Sequence, residues 1–286
     1  MQIPWYAKMA VKVVMARIPL SPGSWFKLGI FKHGRMLDFE YAHGVFMTHL
    51  RMMGIVNSEL ARGKTILELG PGESLFSAVF AKAYGFEGSI LVDVDHFALA
   101  DVSRYKGIAR WLESKGLNCP ALDDATSLGD VLTRLNAQYL TRGLISLRNL
   151  PSSSVDMAFS HAVLEHVRKA EITDTLNEIW RILKPGGVST HVVDLKDHLQ
   201  KSLNNLRFTD RFWESPLIAN SGFYTNRLRY SQLIKIFLNA GFDVEGIEKK
   251  EWKTLPLSRK VFNNEFRELD DRDLCVSTFS VRLKGK

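Results

Sequence analysis

The feature that most constrains the fold is a glycine turn placed directly after a short apolar run. Residues 65–74 read Thr-Ile-Leu-Glu-Leu-Gly-Pro-Gly-Glu-Ser, and an amphipathic segment follows them. Gly70 and Gly72 can adopt positive φ and let the backbone approach a ligand closely. Ser74 is placed to cap the helix that follows. A strand that feeds a glycine turn and a helix is the arrangement with which α/β sheets hold adenosine-type cofactors.

A second apolar run, residues 89–95, ends in two acids. A carboxylate at the tip of the second strand, about 20 residues past the glycine turn, can hold a ribose diol. We expect Asp95 to take this role first and Asp93 second, with the other acid capping the next helix. Phe76 stands where the dinucleotide fingerprint has its third glycine, which disfavours a nicotinamide or flavin cofactor.

A third segment adds specificity. Residues 151–167 contain Leu-Glu-His-Val at 164–167, a helical pattern follows over 172–183, and Lys-Pro-Gly-Gly at 184–187 precedes the next apolar run. With the first two segments, this order resembles the class I S-adenosylmethionine-dependent methyltransferases. Within them it is similar to the small-molecule (methyltransferase type 11-like) group. The resemblance covers roughly residues 64–242.

The resemblance implies S-adenosyl-L-methionine as the cofactor and assigns its contacts by position. Glu68 would lie near the methionine moiety, which the glycines would contact closely. Ser146 stands where many relatives carry an acid that meets the adenine amine. The expected cofactor-binding residues are Glu68, Gly70, Pro71, Gly72, Ser74, Asp93, Asp95, Ser146 and Ser160.

The alternation of strand and helix patterns predicts an α/β fold. We expect a Rossmann-like, doubly wound and mainly parallel sheet with a C-terminal antiparallel strand pair and an N-terminal helical extension. Strands are predicted over 64–69, 89–94, 144–147, 155–160, 188–194, 243–252 and 274–283, and helices over 5–18, 38–53, 75–84, 97–115, 127–139, 172–183 and 230–240. Residues 1–60 would form a basic helical extension and residues 61–286 the methyltransferase domain, with 195–229 inserted as a substrate lid.

Polar side chains follow the fourth and fifth predicted strands, where ligands of open α/β sheets bind. An aliphatic hydroxyl acceptor benefits from a general base, and a histidine with a carboxylate partner suits that task. The catalytic candidates are His161, Glu165, His166, Asp194 and His198. His191 lies inside a strand and is expected to be structural. No metal is expected, although Asp194, Asp197 and His198 are the set that a divalent ion would use.

The lid supplies candidates for substrate contacts. Its last residues, Asn226, Arg227, Arg229 and Tyr230, would either bind an acidic or sugar-like acceptor or form surface charge around a helix start. Trp213 and Phe223 would either stack on a sugar face or pin the lid down. Both interpretations remain open from the sequence.

The charge is unevenly distributed along the chain. Residues 1–64 hold nine bases and three acids, so +6 of the net +7 lies there and the remainder is almost neutral. A near-neutral body disfavours nucleic-acid partners, which need clustered bases at the site. The basic segment would either cover the cofactor cleft or place residues 1–20 on an anionic membrane. The two cysteines, Cys119 and Cys275, form no metal or redox spacing, which fits a reduced cytoplasmic compartment. We therefore expect a cytoplasmic protein, with the basic segment as its possible contact to the inner face of a membrane.

The most favoured function is methyl transfer to a small or carbohydrate-type molecule at a hydroxyl. Two alternatives remain: a non-catalytic cofactor-binding scaffold of the same fold, and an N-methyltransferase, including one acting on nucleic acid. The chain has no Asn-Pro-Pro-Tyr or Asp-Pro-Pro-Tyr element, which presents a base amine in nucleic-acid methyltransferases. The sequence thus points to a small-molecule acceptor.

Overall fold

A computed structural model describes residues 3–17 and 35–285 of the chain. The strands are β1 (Thr65–Leu69), β2 (Gly88–Val92), β3 (Ala137–Leu140), β4 (Val155–His161), β5 (Leu183–Asp194), β6 (Asp243–Glu251) and β7 (Val276–Lys284). They form a seven-stranded sheet in the order β3-β2-β1-β4-β5-β7-β6. The first five strands are parallel, and β7 runs antiparallel to both β5 and β6. The predicted architecture is confirmed.

The α-helices of the described residues are α1 (Trp5–Met15), α2 (Phe39–Met53), α3 (Phe76–Ala83), α4 (Val102–Ser114), α5 (Leu128–Arg134), α6 (Gly143–Asn149), α7 (Ile172–Ile182), α8 (Asp210–Trp213), α9 (Pro216–Ala219), α10 (Tyr230–Asn239), α11 (Asn264–Arg267) and α12 (Asp271–Cys275). Short 3-10 turns lie at Ser58–Leu60, Asn204–Arg207 and Arg259–Val261. None of the helices in the described ranges is long and apolar enough to cross a membrane.

Each face of the sheet packs against its own layer of helices. On one face, α2, α3 and α4 bury large side chains such as Phe46, Phe80 and Ile108. On the other face, α7 and α10 bury Leu176 and Phe237. The chain winds outward from β1 in one direction and from β4 in the other, so β1 and β4 are adjacent at the switch point. Ligands of open sheets bind beyond the carboxyl ends of strands at this point.

The helix predicted from residue 97 begins instead at Val102, and its N-cap is Asp101, not Asp93 or Asp95. Two other local predictions were wrong in the type of element. The helix predicted over 127–139 ends at Arg134, because Asn136 adopts φ +51° and its side-chain amide donates to the carbonyl of Glu87 at 2.9 Å. The next residues form edge strand β3. The strand predicted over 144–147 is instead helix α6, which begins where the Gly143 N–H donates to the carbonyl of Asp93. Tertiary pairing with β2 therefore decides both assignments.

The residues after β5 fold as a unit of their own between strands. Trp213 and Phe223 are buried there with Leu199, and they pack against Trp5, Met9 and Val13 of α1. Helix α1 is tied to this segment because the Lys8 ammonium donates to the carbonyl of Leu199 at 3.1 Å. Part of the 195–229 segment thus packs against α1, whereas Leu203 and Leu206 of the same segment pack with Phe262 and Phe266.

The outer side of α1 has a different character. Ile3, Tyr6, Val11 and Val14 are large apolar side chains that remain exposed along the N-terminal segment. Helix α1 therefore has one packed side and one exposed apolar side, and both the cover and the membrane contact stay predictions. Residues 18–20 of the segment predicted to contact a membrane, and residues 1 and 2, lie outside the described residues.

Candidate active site

The glycine turn has the backbone that its sequence requires. Gly70 and Gly72 take φ of +73° and +65°, in the region that favours glycine. The Gly70 N–H donates to the carbonyl of Val92 at 2.8 Å, and the Gly72 N–H donates to the Asp93 carboxylate at 2.9 Å. The turn is thereby fixed against the end of β2, beside the switch point.

The two glycines differ in what surrounds them. A Cβ atom added to Gly72 would meet nothing within 4 Å, whereas one added to Gly70 would come within 2.5 Å of the Val163 side chain. Gly70 is therefore required by packing, and Gly72 faces open space next to a carboxylate. Backbone exposed in this way, beside an acid that can bind a diol, fits an adenosine-type cofactor.

Of the two candidate acids, Asp93 is the one that is hydrogen-bonded to this turn. The Asp93 side chain is buried and accepts hydrogen bonds from the N–H groups of Gly72 and Val94. Asp95 is exposed, and its carboxylate accepts from the adjacent N–H of His96. Burial raises the pKa of Asp93. Because β2 ends one residue before Asp93, Asp93 fixes the turn and Asp95 remains open to solvent. Which of the two acids holds a ribose diol stays a prediction.

Glu68 and Ser74 flank the turn. Glu68 is buried near the end of β1, where it accepts a hydrogen bond from the Ser77 hydroxyl of α3. Burial, with Asp93 adding to it, raises the pKa of Glu68 to about 8.

The cap predicted at Ser74 is wrong in position, because Leu75 is the residue that directly precedes α3 and the Ser74 hydroxyl only accepts from the Phe76 N–H at 3.3 Å. Pro71 is also buried in the turn.

Ser146 and Ser160 are both occupied by protein groups. The Ser146 hydroxyl accepts from the N–H of Arg142 at 3.0 Å and stabilises the first turn of α6. The Ser160 hydroxyl lies 2.8 Å from Nδ1 of His191, whose Nε2 lies 2.8 Å from the Ser189 hydroxyl. His191 is fully buried, and burial lowers its pKa to about 3. His191 is thus a structural residue, as expected.

His161 is the end of a buried chain of side chains. It stands at the carboxyl end of β4, and its Nδ1 lies 3.3 Å from Nε2 of His49. Nδ1 of His49 lies 2.9 Å from the Thr190 hydroxyl. Burial lowers the pKa of both imidazoles. The arrangement leaves Nε2 as the nitrogen of His161 that can serve a substrate.

His49 was missed by sequence reasoning. It lies on α2 among the apolar positions that pack on the sheet, and its side chain is fully buried. A histidine on the apolar face of an amphipathic helix is the signal that was present. Its partners lie 112 and 141 residues away, so the sequence could not name them.

Glu165, His166 and His198 come together beyond the ends of β4 and β5. Each offers one ligand atom, and these atoms lie within 4.8 Å of one another. The positive φ of Ala162, +55°, turns the chain after β4 so that residues 165 and 166 face the start of the 195–229 segment. Burial, with Asp194 adding to it, raises the pKa of Glu165 to about 8.

The remaining acids near this cluster have structural partners. Asp194 pairs with Lys196 at 2.7 Å, and its N–H donates to Glu165 Oε1. Asp197 is buried, and its carboxylate accepts from four backbone N–H groups of the following loop, those of residues 199, 200, 202 and 204. The metal set Asp194, Asp197 and His198 is therefore not assembled, because Asp197 holds the loop together.

The polar residues at the end of the 195–229 segment also have structural partners. Arg227 is buried, pairs with Asp210 and donates to the carbonyls of residues 205 and 208. Arg229 donates to the carbonyls of residues 195, 274 and 276. The Asn226 amide donates to the carbonyls of residues 164 and 167. Asn226, Arg227 and Arg229 are therefore buried and bonded to the protein. They are neither surface charges nor free to contact a substrate, so both expectations were wrong for them.

The aromatic residues of the lid have packing roles. The Trp213 indole N–H donates to the carbonyl of Thr225 at 2.7 Å, and its ring meets Phe223 edge to face. These contacts fix Trp213 and Phe223 within the 195–229 segment, and the role of that segment as a substrate lid stays a prediction. Tyr230 packs against Phe279, and the Lys249 ammonium lies 3.9 Å from its ring centroid.

One known family matches the part of the chain that contains the glycine turn and the residues after β4. Residues 67–190 match the model of a family described as a methyltransferase domain. These residues run from β1 into β5 and so include the glycine turn, the acid of β2 and the residues after β4. No curated protein matches the sequence.

Several solved structures have a similar fold. An S-adenosylmethionine-dependent methyltransferase from Methanosarcina mazei is 17% identical, with a TM-score of 0.48, over 78% of this chain and 93% of its own. One from Mesorhizobium loti is 15% identical, with a TM-score of 0.46, over 82% and 95%. Phosphoethanolamine N-methyltransferase 2 from Haemonchus contortus, in complex with S-adenosyl-L-methionine, is 14% identical, with a TM-score of 0.47, over 85% and 52%.

Proposed function

We propose that this S-adenosylmethionine-dependent methyltransferase, whose residues 67–190 match a methyltransferase-domain family, methylates a hydroxyl oxygen of a small or carbohydrate-type acceptor. The cofactor, when bound, supplies the methyl group, whose bond to sulfur breaks as the bond to oxygen forms. Gly72 and Asp93, which are hydrogen-bonded to each other, would hold it at the switch point, and Glu68 lies at the inner end of the same turn. The hydroxyl proton must pass to a base of the protein.

The observation that carries the proposal is the Thr190–His49–His161 chain. If Nδ1–H of His161 donates to His49, then Nδ1–H of His49 can donate to Thr190, and Nε2 of His161 is left as an acceptor. Burial keeps His161 neutral at neutral pH, so it can accept a proton. An amine acceptor needs little beyond positioning, whereas an aliphatic hydroxyl gains about 10²–10⁴-fold from such a base. An oriented base therefore favours the hydroxyl.

The surroundings favour a small acceptor. Residues 195–229 and α1 form a layer next to the carboxyl ends of β4 and β5, which would exclude water from the reaction. The charge outside residues 1–64 is close to neutral, and a nucleic-acid acceptor would need clustered bases. Catalysis then consists of holding the acceptor oxygen about 3 Å from the methyl carbon and taking its proton.

The test uses the full-length protein, labelled S-adenosylmethionine, and three acceptor panels: sugars and other alcohols, amines, and RNA. His161→Asn is expected to lower kcat on hydroxyl acceptors by about 10²–10⁴-fold without changing the Kd of the cofactor. His49→Gln is expected to change the pH profile through the positioning of His161. The matched control is His96→Asn, because His96 is an exposed histidine that bonds Thr141. Methylation of amines alone, at a rate that His161→Asn leaves unchanged, would overturn the proposal.

A further inference from the structure

The cluster of Glu165, His166 and His198 has the composition of a metal site. Its ligand atoms lie within 4.8 Å of one another, and the two imidazole centroids are 4.7 Å apart. Two residues come from the turn after β4 and one from the segment after β5, so the fold, and not local sequence, assembles the set. Two histidines and one carboxylate are a recurrent ligand set for divalent transition metals.

The histidine of the turn is oriented as a metal ligand. Nδ1 of His166 lies 2.8 Å from the carbonyl oxygen of Tyr224, and a carbonyl only accepts, so Nδ1 carries the hydrogen. The lone pair is therefore on Nε2. A hydrogen bond from the other ring nitrogen to a backbone carbonyl is the usual support for a metal-binding histidine.

The carboxylate provides an independent observation. Glu165 is only 2% exposed, and its Oε2 has no hydrogen-bond partner among the described residues. Its other oxygen, Oε1, accepts from the N–H of Asp194 at 3.2 Å. A buried polar atom without a partner is costly and needs an explanation. The nearby base Lys196 is already bonded to Asp194 and Thr278.

We propose that Glu165, His166 and His198 bind one divalent transition-metal cation, of the Zn²⁺, Mn²⁺ or Fe²⁺ class. Two imidazole ligands favour these ions over Mg²⁺ and Ca²⁺, which prefer oxygen. His166 is exposed and His198 is half-buried, so the cation keeps positions open on the accessible side. Its role rests on the proposed function: it binds the acceptor hydroxyl, lowers the pKa of that hydroxyl and assists transfer of the proton to His161.

The test measures metal binding directly. The full-length protein is treated with a chelator, dialysed, and titrated with Zn²⁺ by calorimetry and with Co²⁺ by visible absorption. One equivalent is expected to bind, and the Co²⁺ d–d bands are expected to indicate nitrogen and oxygen ligands. His198→Ala should weaken binding more than the roughly 10–100-fold that loss of a supporting partner costs. His96→Ala should leave binding unchanged, and retained binding of S-adenosylmethionine shows that each variant is folded.

The outcomes separate this inference from the proposed function. Failure of the folded wild type to bind Zn²⁺, Co²⁺ or Mn²⁺, or equal binding by His198→Ala, overturns the metal site. Metal binding that depends on His198, in an enzyme that methylates only amines, supports the site and overturns the hydroxyl acceptor. Undiminished hydroxyl methylation by the chelated, metal-free enzyme overturns the role assigned to the cation.

Discussion

Replacement of Gly70 by alanine is expected to destabilise the protein through two separate effects. The first is backbone strain, because an L-residue at φ +73° costs about 1–2 kcal/mol. The second is a steric clash, because the new Cβ would lie 2.5 and 2.6 Å from the two Cγ atoms of Val163. Overpacking of this kind costs about 1–3 kcal/mol. The expected loss of unfolding free energy is therefore about 2–5 kcal/mol.

Gly72→Ala is the matched control. Gly72 has a similar φ of +65°, but its added Cβ meets nothing within 4 Å. It should therefore lose only the strain of about 1–2 kcal/mol. Its methyl group projects into the space assigned to the cofactor. The loss of binding free energy for S-adenosylmethionine in Gly72→Ala should therefore exceed the loss of unfolding free energy.

Val163→Ala isolates the clash. In the Gly70→Ala background, truncating Val163 removes both Cγ atoms that the new methyl group would meet. The double variant should be more stable than the sum of the two single effects by about 1–2 kcal/mol, within the range for residues in contact. Urea denaturation of the four proteins gives the coupling energy, and calorimetry gives the cofactor Kd. Equal losses for Gly70→Ala and Gly72→Ala, with no coupling to Val163, would refute the reasoning.

The remaining predictions concern buried titratable groups and the cofactor acid. Burial lowers the pKa of His191 to about 3 in the folded protein, against about 6.5 in the unfolded chain, so its contribution to the free energy of unfolding is lost as the pH falls below 6.5. Between pH 7 and pH 5, urea denaturation should show that the unfolding free energy of His191→Asn falls by about 2 kcal/mol less than that of the wild type. Glu68 titrates in the opposite sense. Its pKa is about 8 in the folded protein and about 4.5 in the unfolded chain, so stability is lost as the pH rises. Between pH 5 and pH 7 the unfolding free energy of the wild type should fall by about 2 kcal/mol, and that of Glu68→Gln should not. In calorimetry, Asp93→Asn should weaken S-adenosylmethionine binding about tenfold or more and Asp95→Asn should not; the reverse order would restore Asp95 as the ribose acid.

The core of the fold could be predicted from the sequence because its signals are local. A glycine turn after an apolar run needs positive φ, and both glycines have it. The alternation of apolar runs with amphipathic segments reflects helices that must cover both faces of a parallel sheet. The candidate pair His161 and His166 was recognisable because it follows a strand whose carboxyl end faces the switch point.

Local signals misled where tertiary contacts compete with propensity. Residues 144–147 have an apolar pattern typical of a strand, yet Gly143 bonds the end of β2 and a helix begins there. Arg227 and Arg229 have the residue type of an anion site, but they are buried and saturate backbone carbonyls. A cationic side chain looks the same in sequence whether its partner is a ligand or the chain itself.

The sequence by itself indicated the α/β class, every strand except β3, the glycine turn and the class of cofactor, since each of these depends on residues close together in the chain. Tertiary structure decided which acid faces the turn, that His49 supports His161, and that His198 meets Glu165 and His166. These are contacts between segments that are distant in sequence. Their geometry depends on how the layers pack, and the residue types alone do not specify it.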